Sequence, residues 1–281
     1  MQPTVENVLK ELPAYLSQFT RILTAPKQLL HQHLQAEDSA VLFEKAIAFF
    51  MLSFIIALVL AVVFPEVTNP VSLSADAASM TTHAMAAIRL LFELLGLGAI
   101  AYLSARLVGV HTGFMRFFGL MSAAVGVVLV LQVFASALTN ISMADPVTAK
   151  SWIQLEKISQ TMKANVAQQL CMTDPDTGEI KPDPAMQTTQ TRIKAQSQSL
   201  YLKASQRPLF KLAAALQFVV TLVILIWLAR VWWLYLQYHR LSLAKGWLAT
   251  VLLLVFGGAG WMLLGLVDAG TTMMGLYRNC A

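Results

Sequence analysis

Residues 84–138 read AMAAIRLLFELLGLGAIAYLS, then ARLVGVHTGFMR, then FFGLMSAAVGVVLVLQVFASAL. Two apolar stretches, 84–104 and 117–138, flank a short loop that carries Arg106 and Arg116 and no acid. Each stretch has the length of about 20 residues that an α-helix needs to cross about 30 Å of hydrocarbon. Short loops rich in Lys and Arg stay on the cytoplasmic side, so 105–116 is expected there. Orienting this hairpin orients the rest of the chain.

Composition points the same way. Of 281 residues, 57% are hydrophobic and 12% charged, with mean hydropathy +0.63. Ordinary soluble domains are about 45–50% apolar and about 25% charged. The expectation is an all-α polytopic membrane bundle with five transmembrane helices and an extramembrane helical hairpin between spans three and four. A net charge of +5 is accounted for by cations at helix ends and in one polar insert. No compact basic patch interleaved with aromatics occurs, which argues against nucleic acid. The first residues are amphipathic, without the early apolar core of a secretory signal.

Residues 1–45 form an amphipathic N-terminal region, expected in the cytoplasm. Val5, Val8, Leu9, Leu12, Leu16, Phe19, Ile22 and Leu23 recur at helical spacing. Pro13 is expected to interrupt this pattern, and Pro26 to restart it at a first helical turn. With Lys10, Arg21, Lys27 and Lys45 among the polar positions, these helices either lie in the membrane interface or form an arm packed on the loops. Residues 46–138 hold spans one to three. The first is 46–64, closed by Pro65, and the loop after it has Glu66 and Asp76 but no Lys or Arg, as translocated loops do.

Residues 139–210 are a polar insert, expected outside. Asp145-Pro146 and Asp183-Pro184 each read as a helix N-cap followed by proline at the first helical position. Trp152, Leu155, Ile158, Met162, Val166 and Leu170 make one stripe, and Met186, Ile193 and Leu200 another. Two helices joined by a turn at 173–178 would pair antiparallel through these stripes. Residues 211–281 hold span four at 212–228, an aromatic belt with Arg230, His239 and Arg240, span five at 247–267, and an external tail. The N-terminus is then inside and the C-terminus outside.

Few residues suggest chemistry. Arg89 and Glu93 lie one turn apart inside span two, where they either neutralise each other or mark a proton or substrate path. Gln132 and Gln217 could hydrogen-bond between helices. Gly119, Ala123 and Val127, Ser122 with Gly126, and Gly257-Gly258-Ala259-Gly260 offer small faces for close helix packing. Cys171 and Cys280 fall on the same outer side. In an oxidising compartment a disulfide between them is admissible, although a long hairpin would hold Cys171 beyond the bridging reach of about 7 Å. His31 and His33 point about 200° apart on a helix, so they do not suggest a shared metal. Gly96-Leu97-Gly98-Ala99-Ile100-Ala101 matches a dinucleotide fingerprint in letters only, since it follows no strand. No catalytic residue, metal or cofactor is expected.

Three stretches resemble the Yip family (Ypt-interacting proteins) of five-span membrane proteins, in its bacterial branch. They are Leu23-Thr24-Ala25-Pro26-Lys27, the loop with Arg106, Gly109, Gly113, Phe114, Phe117 and Phe118, and the junction from Trp227 to Tyr235 with His239, Leu241, Ser242 and Lys245. Val110 stands where the family pattern has a second glycine, and the insert at 139–210 is additional. The resemblance implies a helical, non-enzymatic protein; eukaryotic relatives act in vesicle trafficking and contact small GTPases. It also implies a bacterial inner membrane, with a periplasmic C-terminus. The expected role is an interaction or scaffold subunit embedded in the lipid bilayer, with a protein partner at the external hairpin and self-association open. The alternative is a transporter or permease subunit using a polar path around Glu93.

Overall fold

The computed structural model describes residues 5–35, 38–63, 80–171 and 184–278. Among them the chain is helical throughout, apart from short connections. In order come α1 Val5–Thr24, α2 Pro26–Gln35, α3 Ser39–Val63, α4 Met80–Leu107, α5 Phe114–Ala137, α6 Thr139–Met143, α7 Pro146–Cys171, α8 Pro184–Ser205, α9 Pro208–Tyr238 and α10 Leu243–Arg278. Among the described residues four helical stretches are long and apolar enough to cross a membrane: Ser39–Leu60, Phe114–Met143, Pro208–Tyr238 and Leu243–Val267. The stretch expected as span two lies within α4, a helix of 28 residues. The loop at 65–79, the turn at 173–178, Asp183 and Cys280 lie outside the described residues, as does the Arg89 side chain.

Several boundaries differ from expectation for local reasons. α3 begins well before residue 46 because Asp38 Oδ1 accepts the backbone N–H groups of Ala40 and Val41 at 3.1 and 3.3 Å, which is N-capping. α1 runs through Pro13 without a break. Proline removes one helical donor, and Pro13 itself is exposed. α10 continues to Arg278, past the span that ends at Val267.

The residues group into two compact units, one drawn from 1–64, 79–135 and 219–260, the other from 65–78, 136–218 and 261–281. In the first, α5 is the central element. Its small residues Gly119, Ala123 and Gly126 are buried, and they let α3 approach closely. A Cβ on Gly126 would sit 3.0 Å from both Phe49 Cε1 and Ser53 Oγ; one on Gly119 would meet Phe43 Cα at 3.6 Å. The second small patch works similarly on α10, where a Cβ on Gly260 would sit 3.2 Å from Ile100 Cδ1 of α4.

α1 is held against the other helices of the first unit. It packs along α3: the Tyr15 ring stacks on Phe49 with centroids 5.1 Å apart, and its hydroxyl bonds Ser53 Oγ at 2.9 Å. Ile22 of α1 and Leu29, Leu30 and Leu34 of α2 complete the same core.

In the second unit α7 and α8 pack against each other as an antiparallel hairpin. Ile193 and Leu200 of the expected α8 stripe are buried, and Trp152, Leu155 and Ile158 of the α7 stripe are half-buried. Asp145 caps α7 as its sequence context implies. Its carboxylate accepts the Thr148 hydroxyl at 2.8 Å and the N–H groups of Val147 and Thr148 at 3.4 Å. Arg207, just before α9, reaches the same carboxylate at 3.6 Å and ties the base of the hairpin.

The glycine contacts separate two substitutions of the same kind. Gly126→Ala should lower stability by about 1–3 kcal/mol through overpacking against Phe49 and Ser53. Gly96→Ala, whose Cβ meets nothing within 4 Å, should raise it by up to about 1 kcal/mol through helix propensity. Thermal unfolding of the two purified variants in detergent measures both, and equal shifts would refute the packing.

Candidate functional site

The first unit carries a polar and aromatic cluster at the loop between α4 and α5. The loop's shape starts with Gly109. α4 ends at Leu107, Gly109 has φ +96°, and its N–H donates to the Arg106 carbonyl at 3.0 Å. The Val110 N–H donates to the Ala105 carbonyl at 3.1 Å. These two bonds are a Schellman cap, in which the left-handed position favours glycine and the next residue is apolar and buried. Val110 is buried, as is Ala105 opposite it, so a second glycine is not needed there. Gly113 accepts the Phe117 N–H at 3.2 Å and starts α5.

Between these ends Thr112 is drawn inward, 6% exposed. The Tyr235 hydroxyl donates to Thr112 Oγ1 at 3.0 Å, and Thr112 Oγ1 lies 2.8 Å from His239 Nε2. Either atom of the second bond can carry the proton, according to the imidazole tautomer. Burial pushes the His239 imidazole below its ordinary value of 6.5. The Tyr102 hydroxyl donates to the Thr112 carbonyl at 3.4 Å. Rings close around this chain: Phe117 meets Tyr235 at 5.3 Å and Tyr102 at 5.4 Å, and Tyr235 meets His239 at 5.0 Å. Arg106 lies over the Tyr102 ring at 5.5 Å and reaches His111 Nδ1 at 3.3 Å.

The structure therefore joins stretches that are distant in sequence. The loop at 105–118 meets Tyr235 and His239, and the Trp227 indole donates to the Leu23 carbonyl at 2.9 Å. All three stretches that carry the family resemblance thus take part in the core of this unit. Of the loop residues, Arg106 and Phe114 contact Tyr102, Gly109 shapes the turn, and Gly113 is exposed.

A threonine hydroxyl at 2.8 Å from an imidazole invites a catalytic reading, and the geometry argues against it. Thr112 is buried and already accepts from Tyr235. Among the described residues no carboxylate is hydrogen-bonded to His239. The arrangement holds two loops together, and the buried Thr112 hydroxyl offers little open approach.

The other candidates are spread out. Glu93 is half-buried, Gln132 exposed, and Gln217 half-buried in the second unit. Below the cluster, an apolar cavity of about 430 Å³ lies among α4, α5, α9 and α10, bordered by Phe117, Trp232 and Tyr235. Among the described residues no group of three or more His, Cys, Asp or Glu could hold a metal; His31 packs on Tyr238, centroids 5.6 Å apart, while His33 is buried facing Gly119. Comparison with family models, curated proteins and solved structures finds no match.

Sequence reading missed Tyr102, Thr112 and the pairing of Tyr235 with it. Thr112 and His239 are 127 residues apart, and no local pattern marks their contact.

The cluster predicts acid sensitivity. The folded protein takes up the His239 proton less readily than the unfolded chain, so stability is full above about pH 6.5 and falls as pH drops below it. His33, lowered by burial and only partly restored by its bond to Leu29, adds in the same direction. Thermal unfolding from pH 7.5 to 5.5 should show a smaller loss for His239→Gln than for the natural protein. An equal loss would exclude His239.

Proposed function

We propose that this chain is a non-enzymatic, Yip-type integral membrane protein that serves as an interaction or scaffold subunit, with its protein partner docking on the helical hairpin. α4 is then the second of five spans, the 105–116 loop faces the cytoplasm of a bacterial cell, and the hairpin and C-terminus face the periplasm. The hairpin's form carries the reading. A connector between two spans needs only a few residues, whereas α7 and α8 run for 26 and 22. Between them lies a groove of about 710 Å³ lined by Trp152, Leu155, Glu156, Tyr201 and Leu202 among others. Tyr201 and Leu202 are both more than half exposed. Aromatic anchors beside a groove with a polar rim are what protein interfaces use as hot spots. The meeting of the three family-like stretches in one core supports the Yip-type reading.

A photocrosslinker placed at Tyr201 in intact cells should give one discrete adduct. Removal of residues 150–206 should abolish co-purification of that same protein. Retention of the protein without the hairpin would refute the docking site. The topology has its own test. With both native cysteines replaced by serine, a cysteine at the exposed Gly113 should react with an impermeant maleimide only after the inner face is opened. Reaction in sealed cells would reverse the orientation.

A further inference from the structure

The apolar cavity of about 430 Å³ in the first unit has a length and a volume that can be compared with a ligand. Along α9 its wall runs from Leu225 to Tyr235, which is about 15 Å at the helical rise. That is half of the roughly 30 Å of hydrocarbon in a bilayer, the depth of one leaflet. In volume it is nearly three times the apolar cavity of about 150 Å³ that holds one benzene, which scales to roughly 17 carbon atoms, the content of a single acyl chain. Its floor is closed, with Ala101, Leu120 and Ala124 each 1% exposed. Its mouth is open: Leu97, Leu225 and Leu254, which also border it, are 45%, 56% and 69% exposed. The walls on α5, α9 and α10 belong to stretches long and apolar enough to cross a membrane, so in a bilayer that mouth faces hydrocarbon.

The polar groups of the wall make no demand on a ligand. The Trp232 indole donates to Thr250 Oγ1 at 3.1 Å, the Thr250 hydroxyl donates to the Gly246 carbonyl at 3.0 Å, and the Tyr235 hydroxyl donates to Thr112. Water has no partners in such a space, and leaving it empty costs more as the volume grows. Gly257 is an independent sign that the space is kept open. Glycine inside a helix is less stable than alanine, and at Gly126 it is repaid by the close approach of α3. At Gly257 no such approach occurs, since a Cβ would meet only Leu97 Cδ1, at an ordinary 3.9 Å. Gly258 beside it has no neighbour within 4 Å of a Cβ, and both glycines line the cavity.

We propose that this cavity holds one acyl chain of a bilayer lipid, selected by the length of the chain and not by the headgroup. The chain enters from the leaflet on the side of the 105–116 loop and runs along α9 from the level of Tyr235 to that of Leu225. The inference rests on the membrane-spanning reading of these helices. It uses no residue of the hairpin, so it stands or falls apart from the docking site proposed there.

Native mass spectrometry of the full-length protein, delipidated in detergent, tests the assignment. The probes are stearoyl, myristoyl and decanoyl lysophosphatidylcholine, each at equal mole fraction in the micelle. One stearoyl lipid should bind per chain, about tenfold more tightly than the decanoyl lipid, which leaves part of the cavity empty. Stearoyl lysophosphatidylglycerol should match its phosphatidylcholine counterpart within about twofold. Gly257→Phe, whose side chain starts toward Leu97 and takes up part of the space, should weaken stearoyl binding about tenfold and flatten the dependence on length. Ala229→Phe, on the α9 wall, should do the same, and it serves where thermal unfolding shows that Gly257→Phe does not fold. Gly265→Phe, on α10 outside the cavity, should bind as the natural protein does. Equal binding of all chain lengths, unchanged binding in either folded cavity variant, or a tenfold preference for one headgroup overturns the acyl-chain site. So does a dimer that Gly257→Phe dissociates, which would assign the cavity to a second copy of the chain.

Discussion

Apolar helices in lipid gain nothing from hiding their side chains, because the hydrocarbon is as apolar as leucine. Their association rests on close packing and on hydrogen bonds between helices. In this protein that requirement is met first where α5 lies against α3. Gly126 leaves room for the edge of Phe49 and for Ser53 within 3.0 Å of a would-be Cβ. Ser53, buried by this contact, donates to the Phe49 carbonyl and also bonds the Tyr15 hydroxyl, each at 2.9 Å. That bond fixes α1 beside α3, and the Trp227 indole holds the far end of α1 through the Leu23 carbonyl.

The loop ends show how backbone strain and side-chain bonding combine. Gly109 takes a left-handed conformation at little cost. Arg240 takes one as well, with φ +50° and its N–H on the Gln237 carbonyl. For a residue with a Cβ this costs roughly 1–2 kcal/mol. His239, its neighbour, is held by Thr112 and by the Tyr235 and Tyr238 rings. The tertiary bonds of one loop therefore sustain the strained turn of the other.

The second unit depends on a different set of forces. Its hairpin is polar on most of its surface and is positioned at its base, where Asp145 both caps α7 and receives Arg207. Phe210 stacks on Trp152 and meets Tyr201 edge-on, with centroids about 6 Å apart. Those contacts join α7, α8 and the start of α9. They leave Tyr201 and Leu202 largely exposed beside the groove.

Much of the architecture was legible in the residue order. Helical type and length follow from apolar runs and from the period of the stripes, and the Asp145-Pro146 and Pro26 starts are local chemistry that appears where it was expected. The small-residue faces at Gly119, Gly126 and Gly260 were legible too, because a missing side chain is visible without knowing its neighbour. Which neighbour comes close was not. A span that is apolar all round carries no stripe to say which face turns inward, so Tyr15 with Ser53, Thr112 with His239 and Trp227 with Leu23 could not be paired from spacing. Their separations of 38, 127 and 204 residues lie beyond any periodicity. The run of α1 through Pro13 onto α3 belongs to the same class, since a local breaker is overruled by packing. Sequence alone determined that the chain builds long apolar helices and a polar hairpin, because those properties are local. Only the tertiary structure decided that Gly257 and Tyr235 line one apolar cavity, because that depends on the faces that four helices turn toward each other.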